Sequence, residues 1–288
     1  MVLGAGHHDR AAHGAVTLAT AAGERDLETA VLVAREAGAL LKENFGKVHT
    51  VGYKGRIDLV TEMDRRSEAL IVARLKSAFP EDDVLAEEGS GTERGRERLW
   101  IVDPLDGTTN YAHEYPVWSV SIALQVAGRL EAGVVFNPLL DDLYAGRRGG
   151  GVTLNGAPRR VSEVDALDRA MLGTGFAYDL SGDPEQNNVG PFSRFILRAQ
   201  AVRRAGSAAL AIAKVAVGRS DGFWEGGLAP WDMAAGMLLV EEAGGTLTDY
   251  AGAPPRLDRR QLVASNGRIH GEILDVLRAA PGDDQNKR

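Results

Sequence analysis

The stretch Trp100-Ile101-Val102-Asp103-Pro104-Leu105-Asp106-Gly107-Thr108-Thr109-Asn110-Tyr111 carries most of what this chain discloses about its architecture. An apolar, strand-sized run delivers Asp103 to a surface. Pro104 then fixes the turn without offering an N–H, and Asp106 comes back three residues later. Two carboxylates so spaced can bracket one or two hard cations, with the Leu105 carbonyl as a further oxygen ligand. Gly107-Thr108-Thr109 adds backbone N–H groups and hydroxyls at the start of a helix, the chemistry of a phosphate cradle. Read alone, Asp-x-x-Asp-Gly is equally the composition of an ordinary turn.

Outward from this stretch the chain divides into recognisable elements. Leu27, Val31, Ala34, Gly38, Leu41 and Phe45 recur at helical spacing, which predicts an amphipathic first helix with Asp26 capping its start and Gly46 ending it. A polar loop at 53–58 follows, then a second helix from about Ser67, ended by Pro80. Val84-Leu85-Ala86 is a short strand that stops on Glu87 and Glu88. Downstream, Val120, Ile122, Leu124 and Val126 alternate with small or polar residues as in a half-buried strand. The runs 132–136, 143–145 and 152–154 continue an antiparallel meander, broken at Gly128, Pro138, Gly149 to Gly151 and Asn155-Gly156. The turn-rich stretch 178–190 reads as a mobile loop. Helical patterns return over 207–217, 232–243 and 269–279. The order predicts layers of helix and antiparallel sheet rather than a regular alternating parallel fold.

At 288 residues the chain is about twice a typical domain, with no internal repeat and no flexible linker. One folded unit over 26–280 is expected, with a flexible extension at 1–25 and a flexible tail at 281–288. A composition of 44% hydrophobic and 25% charged residues excludes collagen-like, coiled-coil and disordered classes. The net charge of −7 provides no broad basic footprint, so direct nucleic-acid binding is not expected, and an acidic substrate would need cations between it and the chain. Without cysteine there is no disulfide, thiolate zinc site or cysteine nucleophile. No apolar run reaches the length of a membrane span, and the 11–22 stretch is too diluted by His13, Gly14, Thr17 and Thr20 to be an export signal, so a cytoplasmic location is expected. The six histidines are scattered, and no metal site at His7, His8 and His13 is expected. Tyr111, Trp118, Trp224 and Trp231 read as packing residues, and the arginine pairs 65–66, 147–148, 159–160 and 203–204 as solvated faces.

Further acids keep company with Asp103 and Asp106. Asp64 follows Asp58-Leu59-Val60-Thr61, Glu87-Glu88-Gly89 ends the upstream strand, and Trp231-Asp232 opens a later helix. Each has a plainer reading: a helix cap for Asp64 and Asp232, a solvated turn for Glu87 and Glu88. In combination they resemble the inositol monophosphatase family of magnesium-dependent, lithium-sensitive phosphatases. The first family motif stands at Asp103 to Tyr111 and the second at Trp231-Asp232-Met233-Ala234-Ala235-Gly236. Asp58 to Asp64, Glu87-Glu88-Gly89, Gly206-Ser207-Ala208-Ala209 and Glu225 support them, from about Leu27 to Gly267. The chain has Ala86, Gly89 and Ser207 where the family usually has Gly, Ser and Thr, and its loop after Lys54 is one residue shorter than in many relatives.

The resemblance implies an α/β (α+β) layered αβαβα sandwich of the inositol monophosphatase and fructose-1,6-bisphosphatase type. It implies hydrolysis of a phosphate monoester, foremost myo-inositol 1-phosphate, by direct in-line attack of a metal-activated water. Glu87, Asp103 and the Leu105 carbonyl would hold one Mg²⁺, and Asp103, Asp106 and Asp232 a second, with a weaker third near Glu87 and Asp64. Thr108, backed by Asp64, would take the proton from water, and Glu87 would share this task. Gly107, Thr108, Gly206, Ser207 and Ala208 would grip the phosphate beside Asp106 and Asp232, while Glu225 would accept substrate hydroxyls. Inhibition by Li⁺ and a homodimer are implied as well. The alternatives are a phosphatase of the same fold acting on fructose 1,6-bisphosphate, histidinol phosphate or a 3′-phosphoadenosine nucleotide, and, in another class, an accessory role in ribosomal RNA transcription. Gly107-Thr108-Thr109-Asn110 favours the inositol branch over the nucleotide phosphatases, which often carry Gly-Thr-Lys there.

Overall fold

The computed structural model describes residues 8–47, 51–53, 59–91, 95–177 and 188–279, with 8–22, 51–53, 59 and 60 described by backbone alone. Lys54, Asp58, His7, His49 and the stretch 178–187 lie outside the described residues.

The quoted stretch forms the end of β4 (Arg98–Asp106), second strand of a seven-stranded sheet that runs β3 (Asp83–Ala86), β4, β5 (Ser119–Val126), β6 (Arg129–Asn137), β7 (Asp142–Arg147), β8 (Gly151–Leu154) and β9 (Ala157–Arg159). The predicted meander is present. Each neighbour pairs antiparallel except β3 with β4, which are parallel, so β3 and β4 end side by side and carry Glu87 and Asp103 to the same edge of the sheet. Alternation divides the side chains between two cores: Trp100, Val102, Val120, Ile122 and Leu124 face one way, Ile101 and Ala123 the other. Here the reading of β5 as half-buried is corrected. Ser119 and Ser121 are also inaccessible, because α6 (Pro230–Glu242) lies over that face and small residues leave room for its backbone.

Helices α1 (His8–Asn44) and α2 (Glu62–Ala78) cover the other face of this sheet. The expected cap at Asp26 is not observed: α1 runs straight through it, and its carboxylate is taken by Arg98, whose Nη2 donates to Asp26 Oδ1 at 2.9 Å. Helix α2 begins before the predicted Ser67 because Thr61 and Asp64 build a reciprocal cap. Met63 N donates to Thr61 Oγ1 at 3.1 Å, and Thr61 N donates to Asp64 Oδ2 at 2.8 Å. The remaining short strands β1 (Val51–Tyr53) and β2 (Leu59–Thr61) pair as an antiparallel ribbon leading into α2.

A second sheet of five strands, in the order β11 (Ala201–Arg203), β10 (Met171–Thr174), β12 (Gly222–Gly226), β14 (Gln261–Ser265) and β13 (Thr246–Thr248), is mixed rather than antiparallel throughout. β10 runs parallel to both β11 and β12, while β14 runs antiparallel to β12 and β13. Between the two sheets lie α6 and α5 (Ala208–Ala216), packed on each other. The outer face of the second sheet carries α4 (Val189–Ile196) and α7 (His270–Arg278). The result is the expected αβαβα sandwich with three apolar cores: one in each outer gap, and a central one that fills both gaps around α5 and α6. Of the four aromatics read as packing residues, Tyr111, Trp118 and Trp224 are fully buried, as is Trp100, while Trp231 is half-buried. Arg148 departs from its reading as a solvated residue: its guanidinium donates to the Leu130 carbonyl and pairs with Glu241. Among the described residues no helix is long and apolar enough to cross a membrane.

Candidate active site

The β4–β5 ladder slips just where the site begins. Asp103 pairs with Ser121 and Asp106 with Ser119, so Pro104 and Leu105 stand opposite the single residue Val120 and β4 carries one extra residue, a bulge. Pro104 has no N–H to lose at such a position, and Asp103 Oδ1 accepts the Leu105 N–H at 3.0 Å, folding the bulge back on itself. Gly107 follows with φ of +98°, a conformation that L side chains avoid, and a Cβ there would lie 3.0 Å from the Val117 carbonyl oxygen. Short helix α3 (Thr108–Ala112) then turns Thr108 back toward the bulge.

Asp106 is a structural hub as well as a site residue. It accepts from Ser119 Oγ at 3.1 Å, from the Ala208 and Ala209 N–H groups at 3.1 and 3.0 Å, and from Ser207 Oγ. The start of α5 is thereby pinned to the end of β4. Ser207, standing where the family usually has Thr, makes this bond with its hydroxyl, and Ala208 N–H is held by Asp106. Asn110 Nδ2 closes the same junction by donating to the carbonyls of Val117 at 2.6 Å and Ala205 at 2.8 Å, beside Gly206.

Asp64 satisfies its plain reading and more. One carboxylate oxygen accepts from Thr61, and the other accepts from Thr108 Oγ1 at 2.8 Å, a side chain 44 residues later in the chain that also lies 3.1 Å from the Leu105 carbonyl. Burial raises its pKa from the ordinary aspartate value, although hydrogen bonds from Thr61 and Thr108 oppose that shift. Glu87 lies at the end of β3 beside Asp103, and its turn is held by Glu68, which the sequence reading missed. Fully buried on α2, Glu68 accepts the N–H groups of Glu88 at 2.6 Å and Ser90 at 2.8 Å. Its position four residues after Asp64 on a helix was the available signal.

Asp232, in the first turn of α6, accepts the Ala229 N–H at 2.7 Å, so it caps the helix by reaching back rather than from the cap position itself. Burial, followed by the charges of Asp106 and Glu87, raises its pKa to about 8 against the pull of Arg260. Asp103 is pushed well above the usual range by burial first, then by Glu87, Asp106 and Asp232. Asp106 is raised by burial, with its many donors opposing. Glu225, at the end of β12, is also pushed well up by burial and by Asp232 and Asp106, while Arg204 counteracts them. Arg219, six residues before Glu225 in the chain, pairs with Asp142 instead.

Glu87, Asp103, Asp106, Asp232 and Glu225 thus form one electrostatically coupled group of acids. Among the described residues no three His, Asp or Glu side chains close up into a ready-made metal cage. The donor set nonetheless fits a hard divalent cation: every ligand atom on offer is oxygen, and crowded carboxylates whose charged forms are disfavoured by burial and by one another are relieved by positive charge. Of the sequence-derived site residues, Asp64, Glu87, Asp103, Leu105, Asp106, Gly107, Thr108, Gly206, Ser207, Ala208, Glu225 and Asp232 all lie at the strand and helix ends around this group.

Comparisons with known proteins agree with the architecture. The sequence profile of the inositol monophosphatase family matches residues 23–281. The chain is 44% identical over 262 residues to an inositol-1-monophosphatase of Synechocystis sp., covering 89% of this chain and 91% of that protein. It is 42% identical over 257 residues to the Nus factor SuhB of Pseudomonas aeruginosa, covering 87% and 95% respectively. The solved structure of an inositol monophosphatase from Anabaena (Nostoc) sp. superposes with a TM-score of 0.81 at 40% identity, over 88% of this chain and 95% of that one.

Proposed function

The chain belongs to the inositol monophosphatase family, and from that premise we propose that it hydrolyses a phosphate monoester, foremost myo-inositol 1-phosphate, by direct in-line attack of water. Members of the family are metal-dependent phosphatases. The observation that carries the reading is the grouping of Asp103 with Glu87, Asp106 and Asp232, whose charges raise its pKa, at the Leu105 bulge that Thr108 of the Thr108–Asp64 pair touches. Glu87, Asp103 and the Leu105 carbonyl would hold one Mg²⁺, and Asp103, Asp106 and Asp232 a second, with a weaker third near Glu87 and Asp64. Bound there, Mg²⁺ supplies positive charge that makes water a better nucleophile and neutralises the phosphoryl group.

The chain's own groups do the rest. Thr108 Oγ1 accepts a proton from the attacking water while passing its own to Asp64 Oδ1, already within hydrogen-bond distance. Burial makes Asp64 a stronger base than an exposed aspartate. Gly107 and the segment Gly206-Ser207-Ala208 flank the phosphate position, and Glu225 accepts hydrogen bonds from the hydroxyls of the polyol. Glu225 makes no hydrogen bond with a described residue.

The test is Mg²⁺-dependent phosphate release. Asp103→Asn removes the carboxylate shared by both cation positions and should abolish turnover. Retention of more than about a tenth of wild-type activity at saturating Mg²⁺, a difference of about 1.4 kcal/mol, would refute the shared role. Li⁺ competing for the second position after cleavage should inhibit uncompetitively against substrate, and competitive inhibition would contradict that order. A second reading, an accessory role in ribosomal RNA transcription, is favoured by the similarity to the Nus factor SuhB. It requires that association with the transcription machinery survive in Asp103→Asn.

A further inference from the structure

Behind Glu225 lies a buried polar network that the reaction scheme leaves unassigned. Asn188 stands at the position that would cap α4, yet its side chain makes no hydrogen bond to that helix. It has no solvent exposure and turns inward instead. Its Nδ2 donates to the Gly175 carbonyl at 2.6 Å and lies 3.4 Å from Thr174 Oγ1, while its Oδ1 accepts from Tyr250 Oη at 2.8 Å. An asparagine at a helix start ordinarily spends its amide on the free N–H groups of the first turn, so its diversion across three elements is costly unless it does something there.

Both groups that Asn188 holds adjoin Glu225. Gly175 lies so close that a Cβ on it would stand 2.2 Å from either carboxylate oxygen of Glu225. Thr174, the preceding residue, donates its hydroxyl to the carbonyl of Trp224 at 2.7 Å, fastening the end of β10 to the residue before Glu225. Tyr250 is half-buried against the third core, and Glu225 stands near enough that its charge adds to the desolvation that raises the phenol's pKa. The Glu225 carboxylate therefore has Gly175 against it and the Tyr250 phenol within electrostatic range, and one amide hydrogen-bonds both.

We propose that Asn188 is a positioning residue for substrate selection, holding Gly175 and Tyr250 around Glu225 so that its carboxylate meets the hydroxyls of a phosphorylated polyol at a fixed place. The inference rests on the reading of Glu225 as the acceptor of those hydroxyls. An amide fully satisfied on both its donor and acceptor sides has one low-energy orientation, which transmits a fixed geometry to both groups. Losing it lets either group shift, and recognition of hydroxyls falls off steeply with distance and angle.

The experiment compares the specificity constants for myo-inositol 1-phosphate and p-nitrophenyl phosphate, which has no hydroxyls to recognise, in Asn188→Ala, Tyr250→Phe, Glu225→Gln and the Asn188→Ala/Glu225→Gln double variant. Glu225→Gln should lower the ratio of the two constants about tenfold, as expected for loss of a charge-assisted hydrogen bond. Asn188→Ala should lower the ratio in the same direction through KM for the inositol substrate, Tyr250→Phe should do so more weakly, and the double variant should fall no further than Glu225→Gln alone. An unchanged ratio in Glu225→Gln would overturn the reading of Glu225 and the inference with it. A lowered ratio in Glu225→Gln with unchanged ratios in Asn188→Ala and Tyr250→Phe would overturn the inference alone. Equal losses on both substrates in Asn188→Ala and Tyr250→Phe would make the network structural, and multiplicative losses in the double variant would mean that Asn188 acts apart from Glu225. Tyr250→Phe removes one oxygen from an otherwise intact ring and decides the matter if Asn188→Ala does not fold.

Discussion

At the scale of single residues, several side chains do two jobs, and the structural one hides the chemical one from sequence. Asp64 looks like a helix cap and is one, yet its second oxygen binds Thr108. Asp232 reaches back to Ala229 while facing the other acids. Removing the hydroxyl of Thr108 separates the roles, since Asp64 keeps both bonds from Thr61. Thr108→Ala should therefore lower kcat by about a hundredfold or more with little change in thermal midpoint, and Thr108→Ser should restore most of the loss. Turnover of Thr108→Ala within about tenfold of wild type would remove Thr108 from the proton path.

At the scale of elements, legibility follows length and periodicity. The apolar run into Asp103 and the alternation of β5 could be read because each spans enough residues to show a period. β10 and β11 span only four and three residues, too short to show one, and α4 begins inside a stretch of turn composition. Glu68 went unread because a buried glutamate on a helix has the same spelling as a solvated one. His270 is another element-level joint: it opens α7 and bridges two strands, its Nδ1 lying 2.8 Å from Ser265 Oγ and its Nε2 2.9 Å from Thr248 Oγ1. Burial lowers its pKa below the ordinary 6.5, so the folded state binds fewer protons at this group than the unfolded chain does. Its contribution to stability is present above pH 6.5 and is lost as pH falls through the lowered value. Thermal midpoints measured between pH 7.5 and 5 should therefore fall more in the wild type than in His270→Gln. Parallel curves would show that the imidazole stays neutral or is equally accessible in both states.

At the scale of the whole molecule, three stacked cores leave a particular apolar surface uncovered. Helix α4 turns Phe192 and Phe195 toward the third core, but Val189 is 49% exposed, Ile196 53% and Leu197 67%. Val189 and Ile196 are seven residues apart, so they share one stripe of the helix, with Leu197 adjoining it. Exposed apolar side chains grouped along one helix and its end, here with Ser193 between Val189 and Ile196, are the kind of surface that a second copy covers in a symmetric dimer. The homodimer implied by the family resemblance is expected to bury these residues. The expectation makes a definite claim about Ile196→Glu/Leu197→Glu: two charges on each of two facing helices would be buried against each other without partners, a cost of several kcal/mol for the pair. Sedimentation at micromolar concentration should then show a dimer for the wild type and a monomer for the double variant. A wild-type monomer would refute the dimer itself, and a dimer in both proteins would place the interface elsewhere on the molecule.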